Sequence, residues 1–301
     1  MDNNRQLYDD ISLANRQSRR RRYFKKSAIT CKALDMPDFD RLLLTGAAGA
    51  LGRVLRQSLK PLTRHLRLSD IVAMEPAAAN EEVIHCDLAD GAGVDALLKG
   101  VDAVVHMGGI SVEGPWEPIL AANIIGLHNL YEAARRNGVK RIIFASSNHA
   151  IGFNPRTRRI DANDPVRPDG NYGVSKVFGE ALSRFYWDRY GIETVCLRIG
   201  SSFPEPKDRR MLITWLSYDD MAELVRCSLT APKVEHTIVF GASNNRDSWW
   251  DNKHAAHLGF KPKSSAESYR AQMEALPPVD PNDRAELFQG GGYVKMGPYP
   301  Q

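Results

Sequence analysis

The chain has 301 residues, 43% of them hydrophobic, and a formal net charge of +4. This size and composition suit one large α/β domain, or one domain with an appendage, around a sizeable core. They exclude a membrane-spanning protein and a disulfide framework, because no apolar run approaches the ~20 residues of a membrane helix and the scattered cysteines lack a C-x-x-C spacing. The first residues contain no apolar stretch of signal-peptide length, so we expect a cytoplasmic protein without a bound metal.

The net positive charge of the chain comes from its first 35 residues. Residues 1–35 contain nine Lys or Arg and four Asp, a net charge of +5, whereas the remaining residues sum to −1. A short block such as RRRRYFKK is more often a solvated arm than a nucleic-acid-binding device. We therefore predict that residues 1–36 form a disordered extension, with Met36 as an alternative start, and we expect no nucleic-acid or membrane partner.

After Met36, short apolar segments alternate with helical ones. In chain order the predicted elements are strand RLLLTG, helix GAAGALGRVLRQSL, strands HLRLSD and EEVIHCD, helix GVDALLKG, strand VDAVVHMGG, helix EPILAANIIGLHNLYEAARRNG and strand KRIIFASS. This alternation predicts a Rossmann-type, doubly wound parallel sheet with helices on both faces. We assign residues 37–200 to a dinucleotide-binding core and residues 201–301 to a small substrate-binding region, with 217–242 returning to the core.

A glycine-rich turn joins the first predicted strand to the first helix. The glycines of TGAAGALG (Gly46, Gly49 and Gly52) let the backbone turn tightly and approach a pyrophosphate at the helix N-terminus. Asp70 ends the second strand, where a carboxylate accepts hydrogen bonds from adenosine ribose hydroxyls and repels a 2′-phosphate. These residues predict NAD rather than NADP as the cofactor, although the nearby Arg67 argues slightly for NADP.

A tyrosine and a lysine, Tyr172 and Lys176, lie four residues apart on one face of the helix predicted for NYGVSKVFGE. With a pKa of about 10, tyrosine is a poor base at neutral pH, and a cation one turn away lowers that pKa by favouring the phenolate. The pair indicates a base that removes a hydroxyl proton while NAD accepts the hydride from the same carbinol group. Such a pair also occurs by chance on solvated helices, but the glycine turn favours the catalytic interpretation.

The T-G-x-x-G-x-x-G turn followed by Tyr-x-x-x-Lys resembles the extended branch of the short-chain dehydrogenase/reductase family, over roughly residues 40–242. The resemblance implies that Asp87 and Leu88 contact the adenine and that Gly108 of HMGG lies on the nicotinamide side. It also implies that Ser147 completes a Ser-Tyr-Lys site by orienting the substrate oxygen, and that Lys176 holds the nicotinamide ribose. We also expect a homo-oligomer.

Two segments depart from the pattern of the nucleotide-sugar epimerases and dehydratases of this family. SSNHAIGF stands where those enzymes usually have S-x-x-V-Y-G, and RIGSSFPEPKDRRMLITW stands where they have R-x-x-N-x-Y-G-P. The region after the sixth strand is also short for covering a nucleotide diphosphate. A smaller polar substrate is therefore favoured.

Together with GGISVEGPW, NIIGLHNLYEAAR and GASNNRDSWWDN, these segments resemble the family members that oxidise a hexuronic acid at its anomeric carbon to the lactone. The resemblance places six residues around the sugar acid: Ser111, Ser147, Asn148, His149, Ser201 and Arg210. A guanidinium pairs two donors with a carboxylate, so Arg210 is the expected clamp and Arg209 its competitor. We interpret Trp249 and Trp250 as packing residues.

Two alternative functions remain open. A sugar or nucleotide-sugar epimerase or dehydratase would use the same cofactor but return the hydride to the substrate. A non-catalytic NAD(P)-sensing protein would share the fold, but such proteins tend to lose the catalytic tyrosine. The sequence also leaves the choice between D-glucuronate and D-galacturonate open.

Overall fold

Seven parallel strands form the central sheet of the structure, a computed structural model that describes residues 38–299. In chain order all strands are β1 (Phe39–Thr45), β2 (Thr63–Asp70), β3 (Glu81–His85), β4 (Ala103–His106), β5 (Arg141–Ser147), β6 (Ile160–Asp161), β7 (Glu193–Ile199), β8 (Ser201–Ser202), β9 (Trp215–Leu216), β10 (His236–Gly241) and β11 (Trp250–Asp251). Neighbours in the central sheet follow the order β10, β7, β5, β4, β1, β2, β3. The predicted Rossmann-type parallel sheet is confirmed.

Helices follow most of these strands. They are α1 (Ala50–Ser58), α2 (Gly91–Leu97), α3 (Trp116–Ile119), α4 (Gly126–Asn137), α5 (Asn171–Tyr190), α6 (Met211–Thr214), α7 (Tyr218–Thr230), α8 (Arg270–Glu274) and α9 (Arg284–Leu287). The single long helix predicted before β5 is present, but a π-helical segment, Leu120–Ile125, separates α3 from α4. Periodicity alone does not reveal that segment, because its sequence continues the apolar pattern of a regular helix.

The sheet is buried on both faces because successive side chains of a strand point to opposite sides. Leu42 and Leu44 of β1 belong to a cluster that includes residues of α1 and α7, whereas Leu43 belongs to a second cluster with residues of α2, α4 and α5. All three leucines are fully buried. The continuous apolar run in RLLLTG therefore serves two cores at once, as a doubly wound fold requires.

The remaining elements are short and lie mostly after β7. β8 pairs with β9 and β6 pairs with β11, whereas β10 returns to the central sheet beside β7. Pro37–Gln301 groups as one compact unit. The predicted boundary between a core and a substrate-binding region at residue 200 therefore stays a prediction about function. The predicted N-terminal arm lies outside the described residues. Within residues 38–299, no helix combines the length and apolar character that crossing a bilayer requires.

The chain order of the strands reverses at β1. The strands β2 and β3 lie on one side of β1, and β4 and β5 lie on the other. In open α/β sheets, ligands bind outside the carboxyl ends of the strands at such a switch point. Gly46, Gly108 and Ser147 lie at or just beyond the carboxyl ends of β1, β4 and β5, so the fold brings the predicted cofactor and catalytic residues to one crevice.

Candidate active site

The glycine turn after β1 has the backbone of a dinucleotide cradle. Gly46 has a φ of +69°, and a Cβ on Gly52 would lie 2.1 Å from the Gly46 carbonyl oxygen, so both positions require glycine for backbone packing. Gly49, directly before α1, is different, because a Cβ there would meet only that same oxygen, at 3.3 Å, among the described residues. Its open surface leaves room for a phosphate at the N-terminus of α1.

The carboxylate of Asp70 folds back toward this turn. It accepts hydrogen bonds from the backbone N–H of Ala48 at 2.9 Å and of Val72 at 3.1 Å. These contacts hold the acidic side chain between the glycine turn and the end of β2. This is the position at which a carboxylate meets the adenosine ribose of a bound dinucleotide.

The side chain of Arg67, whose charge near Asp70 slightly favoured NADP, makes hydrogen bonds to other parts of the protein. Its buried guanidinium donates to Glu82 at 2.8 Å and to the carbonyl oxygens of Leu97 at 2.6 Å and Lys99 at 3.1 Å. A guanidinium fixed by these three acceptors does not serve a 2′-phosphate at the end of the strand. The structure therefore removes the argument that the sequence raised against NAD.

Of the other predicted cofactor residues, Asp87 and Leu88 follow β3 and Gly108 follows β4. Asp87 accepts a hydrogen bond from the N–H of Ala89 at 2.9 Å, which shapes the turn after β3. Leu88 is buried, and a Cβ on Gly108 would lie 2.9 Å from its Cδ1. The N–H of Gly108 donates to the Thr45 hydroxyl at 3.3 Å. The structure thus brings Leu88 and Gly108 into contact beside the carboxyl end of β1.

The three predicted catalytic residues also meet. Tyr172 and Lys176 lie in the first turns of α5 and are each 6% exposed, and Ser147 at the end of β5 is 4% exposed. The Lys176 Nζ lies 5.3 Å from the ring centre of Tyr172 and 5.2 Å from that of Phe144. Ser147 lies close enough to the Tyr172 phenol to influence its pKa. Ser147, Tyr172 and Lys176 therefore form one buried group.

The acid–base properties of this group differ from the expectation. Burial raises the pKa of Tyr172, and the nearby Ser147 offsets only part of that rise. Burial also lowers the pKa of Lys176 to about 8. Desolvation of the phenolate therefore outweighs the expected lowering of the Tyr172 pKa by Lys176.

Glu113 fixes the start of the catalytic helix. Its buried carboxylate accepts the backbone N–H of Asn171 at 3.0 Å and of Tyr172 at 2.9 Å. A Cβ on Gly170 would lie 2.2 Å from Glu113 Oε2, so a larger residue there would displace this carboxylate. A carboxylate at a helix N-terminus satisfies free amides and complements the helix dipole. The sequence analysis missed Glu113 because it lies far from α5 in the chain.

Asn123 of the π-helical segment was also missed. Its side chain accepts the N–H of Ile110 at 2.8 Å, and donates to the carbonyl of Ile110 at 2.9 Å and to the hydroxyl of Ser175 at 3.0 Å. The Ser175 hydroxyl in turn donates to the carbonyl of Tyr172 at 2.7 Å. Asn123 therefore ties the loop after β4 to α5.

Arg210 lies on the substrate side, held by three acceptors. Its Nε donates to the carbonyl of Gln289 at 2.7 Å, and its Nη1 donates to the Ser201 hydroxyl at 3.2 Å. Its Nη2 donates at 2.7 Å to Asn148, whose amide is oriented so that it also donates to the carbonyl of Ile199. Burial lowers the pKa of Arg210 to about 10, and no ion pair among the described residues includes this guanidinium.

Arg209, the competitor, points to a different part of the protein. Its guanidinium donates to the carbonyl oxygens of Glu274 at 3.0 Å and Pro277 at 2.6 Å, and also to that of Leu276. These carbonyls lie at and just beyond the end of α8, where a cation stabilises free carbonyl groups. The geometry favours Arg210 over Arg209 as the residue that meets a carboxylate.

The remaining predicted substrate residues are divided. Asn148 and Ser201 contact Arg210 directly, and His149 follows Asn148 with its Nδ1 2.8 Å from Asp169 Oδ2. Ser111 is exposed in the loop after β4, and no hydrogen bond within residues 38–299 connects it to the others. Hydrogen bonds among the described residues therefore link Arg210 to Asn148 and Ser201 but do not include Ser111.

Three more residues, none of them predicted from the sequence, complete this side of the site: Asp169, Gln289 and Tyr293. The ring of Tyr293 stacks on His149 with centres 3.8 Å apart. Gln289 is fully buried, and its side chain accepts the indole N–H of Trp250 at 2.9 Å. Trp249 and Trp250 pack in a buried cluster with Phe240, as predicted. The glycine triplet in FQGGGY was the one signal that could have indicated this segment.

The fold and this site define a nicotinamide-dependent dehydrogenase of the short-chain type. The profile of the NAD dependent epimerase/dehydratase family matches residues 42–218. A uronate dehydrogenase from Pseudomonas putida is 59% identical over 262 residues, which cover 87% of this chain and 98% of that protein. The chain therefore belongs to the uronate dehydrogenases within the NAD dependent epimerase/dehydratase family.

Solved structures agree with this assignment. A uronate dehydrogenase mutant from Agrobacterium tumefaciens, complexed with NAD, has a TM-score of 0.85 and 53% identity, covering 87% of this chain and all of that one. A glucuronic acid dehydrogenase from Chromohalobacter salexigens has a TM-score of 0.84 and 52% identity, covering 86% and 97%. The predicted membership of the extended short-chain dehydrogenase/reductase family and the more specific resemblance to its hexuronic-acid-oxidising members are both confirmed.

Proposed function

We propose that this chain oxidises a hexuronic acid, D-glucuronate or D-galacturonate, at C1 with NAD and forms the aldaro-lactone and NADH. The observation that carries the proposal is a partly buried guanidinium beside a buried Ser-Tyr-Lys group. Asn148 connects the two, because it follows Ser147 in the chain and accepts a hydrogen bond from Arg210. A site that joins dehydrogenase residues to a partly buried cation suits an alcohol that carries a carboxylate.

The residues present fit NAD. The open turn at Gly49 would hold the pyrophosphate, Asp70 would accept the adenosine ribose hydroxyls, and Leu88 and Asp87 would contact the adenine. Gly108 and Lys176 would lie on the nicotinamide side. Bound oxidised NAD supplies the acceptor for the C1 hydride and adds a positive charge to the site.

Tyr172 accepts the proton of the C1 hydroxyl, and Ser147 orients that oxygen by hydrogen bonding. Because burial raises the pKa of Tyr172, positive charge near the phenol favours proton transfer. Lys176 therefore acts with the cofactor's charge and not as the sole influence on the tyrosine. Glu113 and Asn123 hold Tyr172 in place through the backbone of α5.

Arg210 binds the C6 carboxylate. A partly buried cation without a carboxylate partner is unfavourable, and an anionic substrate relieves that cost while it forms two parallel hydrogen bonds. The contacts of Arg210 with Gln289 and Ser201 fix the plane of the guanidinium before the substrate arrives. Asn148 and Ser201 also present polar groups that suit ring hydroxyls, whereas the exposed Ser111 stays a prediction.

The direct test is a panel of D-glucuronate, D-galacturonate and neutral hexoses incubated with NAD and followed by NADH absorbance. Oxidation predicts net accumulation of NADH with at least one uronate. An epimerase or dehydratase would return the hydride and show no net NADH, and a sensing protein would bind NAD without turnover. Absence of NADH with both uronates, in protein that binds NAD, would contradict the proposal. The homo-oligomeric state and the cytoplasmic location stay predictions.

A further inference from the structure

The imidazole of His149 is held on several sides. Its Nδ1 lies 2.8 Å from Asp169 Oδ2, its face stacks on Tyr293 at 3.8 Å, and its edge meets the Tyr172 ring with centres 5.8 Å apart. The side chain is still 12% exposed. With Nδ1 occupied and one face covered, Nε2 is the ring atom left to bond a ligand.

Asp169 is built into the protein at this position. Its side chain is fully buried, and a Cβ on Gly152 or Gly290 would lie 1.8 Å or 1.9 Å from its Oδ2. A Cβ on Gly173 would lie 3.2 Å from its Oδ1. Three chain segments therefore have a glycine next to this carboxylate, where a side chain would collide with it or crowd it.

The Asp169 carboxylate has few hydrogen-bond partners among the described residues. Its Oδ1 is buried without a hydrogen bond among the described residues, and the side-chain bond to His149 is made by Oδ2. Burying a carboxylate with so little compensation is costly. A purely structural residue at this position would be more stable as a neutral side chain, which points to a role exercised through His149.

The charges around His149 favour a neutral ring. Burial lowers the pKa of His149, and the nearby Arg210 lowers it further, whereas Asp169 and Glu113 raise it. The phenols of Tyr172 and Tyr293 are the other titratable groups that face the ring. A neutral imidazole carries one proton, and the partner of one nitrogen decides the role of the other.

We propose that Asp169 is a positioning residue that keeps the proton of His149 on Nδ1, so that Nε2 accepts a hydrogen bond from a hydroxyl of the sugar acid. This inference rests on the proposed function, because it assigns His149 a substrate hydroxyl. The site then offers an acceptor at His149 beside a donor at Arg210. A substrate must present a hydroxyl donor and a carboxylate acceptor together, which contributes to selectivity.

The test begins with Asp169→Asn, which keeps the size of the side chain. An amide nitrogen at this position donates to Nδ1, so the proton moves to Nε2 and the substrate hydroxyl loses its acceptor. We expect kcat/KM for the uronate to fall about tenfold or more, the effect of one lost buried hydrogen bond, while NAD binding is unchanged. In a His149→Ala background the same substitution should change kcat/KM less than about twofold, because Asp169 then has nothing to orient.

The tautomer is measured directly by ¹⁵N NMR of His149 in the cofactor-free protein, so this result does not depend on turnover. The proposal predicts a proton on Nδ1 in the wild type and on Nε2 in Asp169→Asn. A wild-type proton on Nε2 would overturn it even if the variant fails to fold. Equal losses from Asp169→Asn with and without His149 would also overturn it, by showing a structural role only. If the wild type does not oxidise a uronate at all, that result would instead refute the proposed function.

Discussion

The Nε of Arg210 donates a 2.7 Å hydrogen bond to the backbone carbonyl of Gln289, 79 residues further along the chain. Gln289 is itself fixed, because its side chain donates to the carbonyl of Arg158 at 2.8 Å and accepts from Trp250 at 2.9 Å. The same segment brings Tyr293 onto His149. The end of the described chain therefore positions the side chains that we propose bind the uronate.

The first prediction concerns the glycines of this segment. Gly291 has a φ of +64°, and a Cβ there would lie 2.8 Å from Arg210 Cδ. Gly291→Ala should displace the guanidinium, raise KM for uronate several-fold or more and leave NAD binding intact. Gly292→Ala is the matched control, since a Cβ at Gly292 would have no neighbour within 4 Å among residues 38–299. Equal KM values in the two variants would show that the contact with Arg210 is unimportant.

The second prediction concerns the base. Tyr172→Phe should lower kcat by orders of magnitude while the NAD dissociation constant changes little, because only the proton acceptor is removed. The measurement compares steady-state kinetics with NAD titration of the same preparation. Near-normal turnover in the Phe variant would place the base elsewhere.

The third prediction follows from burial of the ammonium. The pKa of Lys176 is about 8 in the folded protein, against about 10.4 in an unfolded chain. Between these two pKa values the unfolded chain binds more protons than the folded one. The buried ammonium of Lys176 therefore destabilises the folded protein fully below about pH 8, and this effect disappears as the pH rises toward about 10.4. Lys176→Met should therefore stabilise the cofactor-free protein at pH 7 by up to about 3 kcal/mol, with loss of activity.

Denaturant unfolding of wild type and Lys176→Met at pH 7 and pH 10 measures this difference. The free energies of unfolding should converge at the higher pH. A variant less stable than wild type at pH 7, or a gap that is the same at both pH values, would show that Lys176 is not a buried charge of this kind.

The sequence predicted much of the fold and part of the site, and the division has a physical origin. Gly46, Asp70, Ser147, Tyr172 and Lys176 belong to local patterns in which one strand, turn or helix carries the information. Glycine spacing and apolar runs report such local geometry directly.

The missed residues act across long separations in the chain. Glu113 reaches the start of α5, and Gln289 reaches Arg210, through contacts that no local period encodes. Burial outweighs the expected effect of Lys176 on the pKa of Tyr172 for a related reason. Spacing shows that two side chains share a helix face, but the degree of burial that controls their pKa values comes from the whole fold.

The fourth prediction concerns the choice of cofactor. Wild type should use NAD with a clearly higher kcat/KM than NADP, because Asp70 repels a 2′-phosphate. Asp70→Ala should narrow that ratio, and it should also weaken NAD binding because the carboxylate supports the turn at Ala48. Arg67→Met is the control and should leave the ratio unchanged, since Arg67 is committed to Glu82 and two carbonyls. Equal efficiency with both cofactors in wild type would overturn the assignment of Asp70.

The last prediction tests the carboxylate clamp. Arg210→Ala should raise KM for the uronate strongly, because the bond to C6 is made in both the ground and transition states, and some loss of kcat should follow from poorer positioning. Arg210→Lys keeps the charge but loses the two-donor fork, so it should recover only part of the activity. Arg209→Ala is the matched control, because Arg209 binds carbonyl oxygens at and just beyond the end of α8.

The most direct measurement is the ratio of kcat/KM for glucuronate to that for glucose in wild type, Arg210→Ala and Arg209→Ala. Glucose lacks the carboxylate, so removal of the clamp should lower this ratio by about 100-fold or more in Arg210→Ala, the loss of a charge-assisted bidentate pair. The ratio in Arg209→Ala should match that of wild type. An unchanged ratio in Arg210→Ala, or an equal fall in Arg209→Ala, would contradict the assignment of Arg210 as the residue that makes this site specific for a uronate.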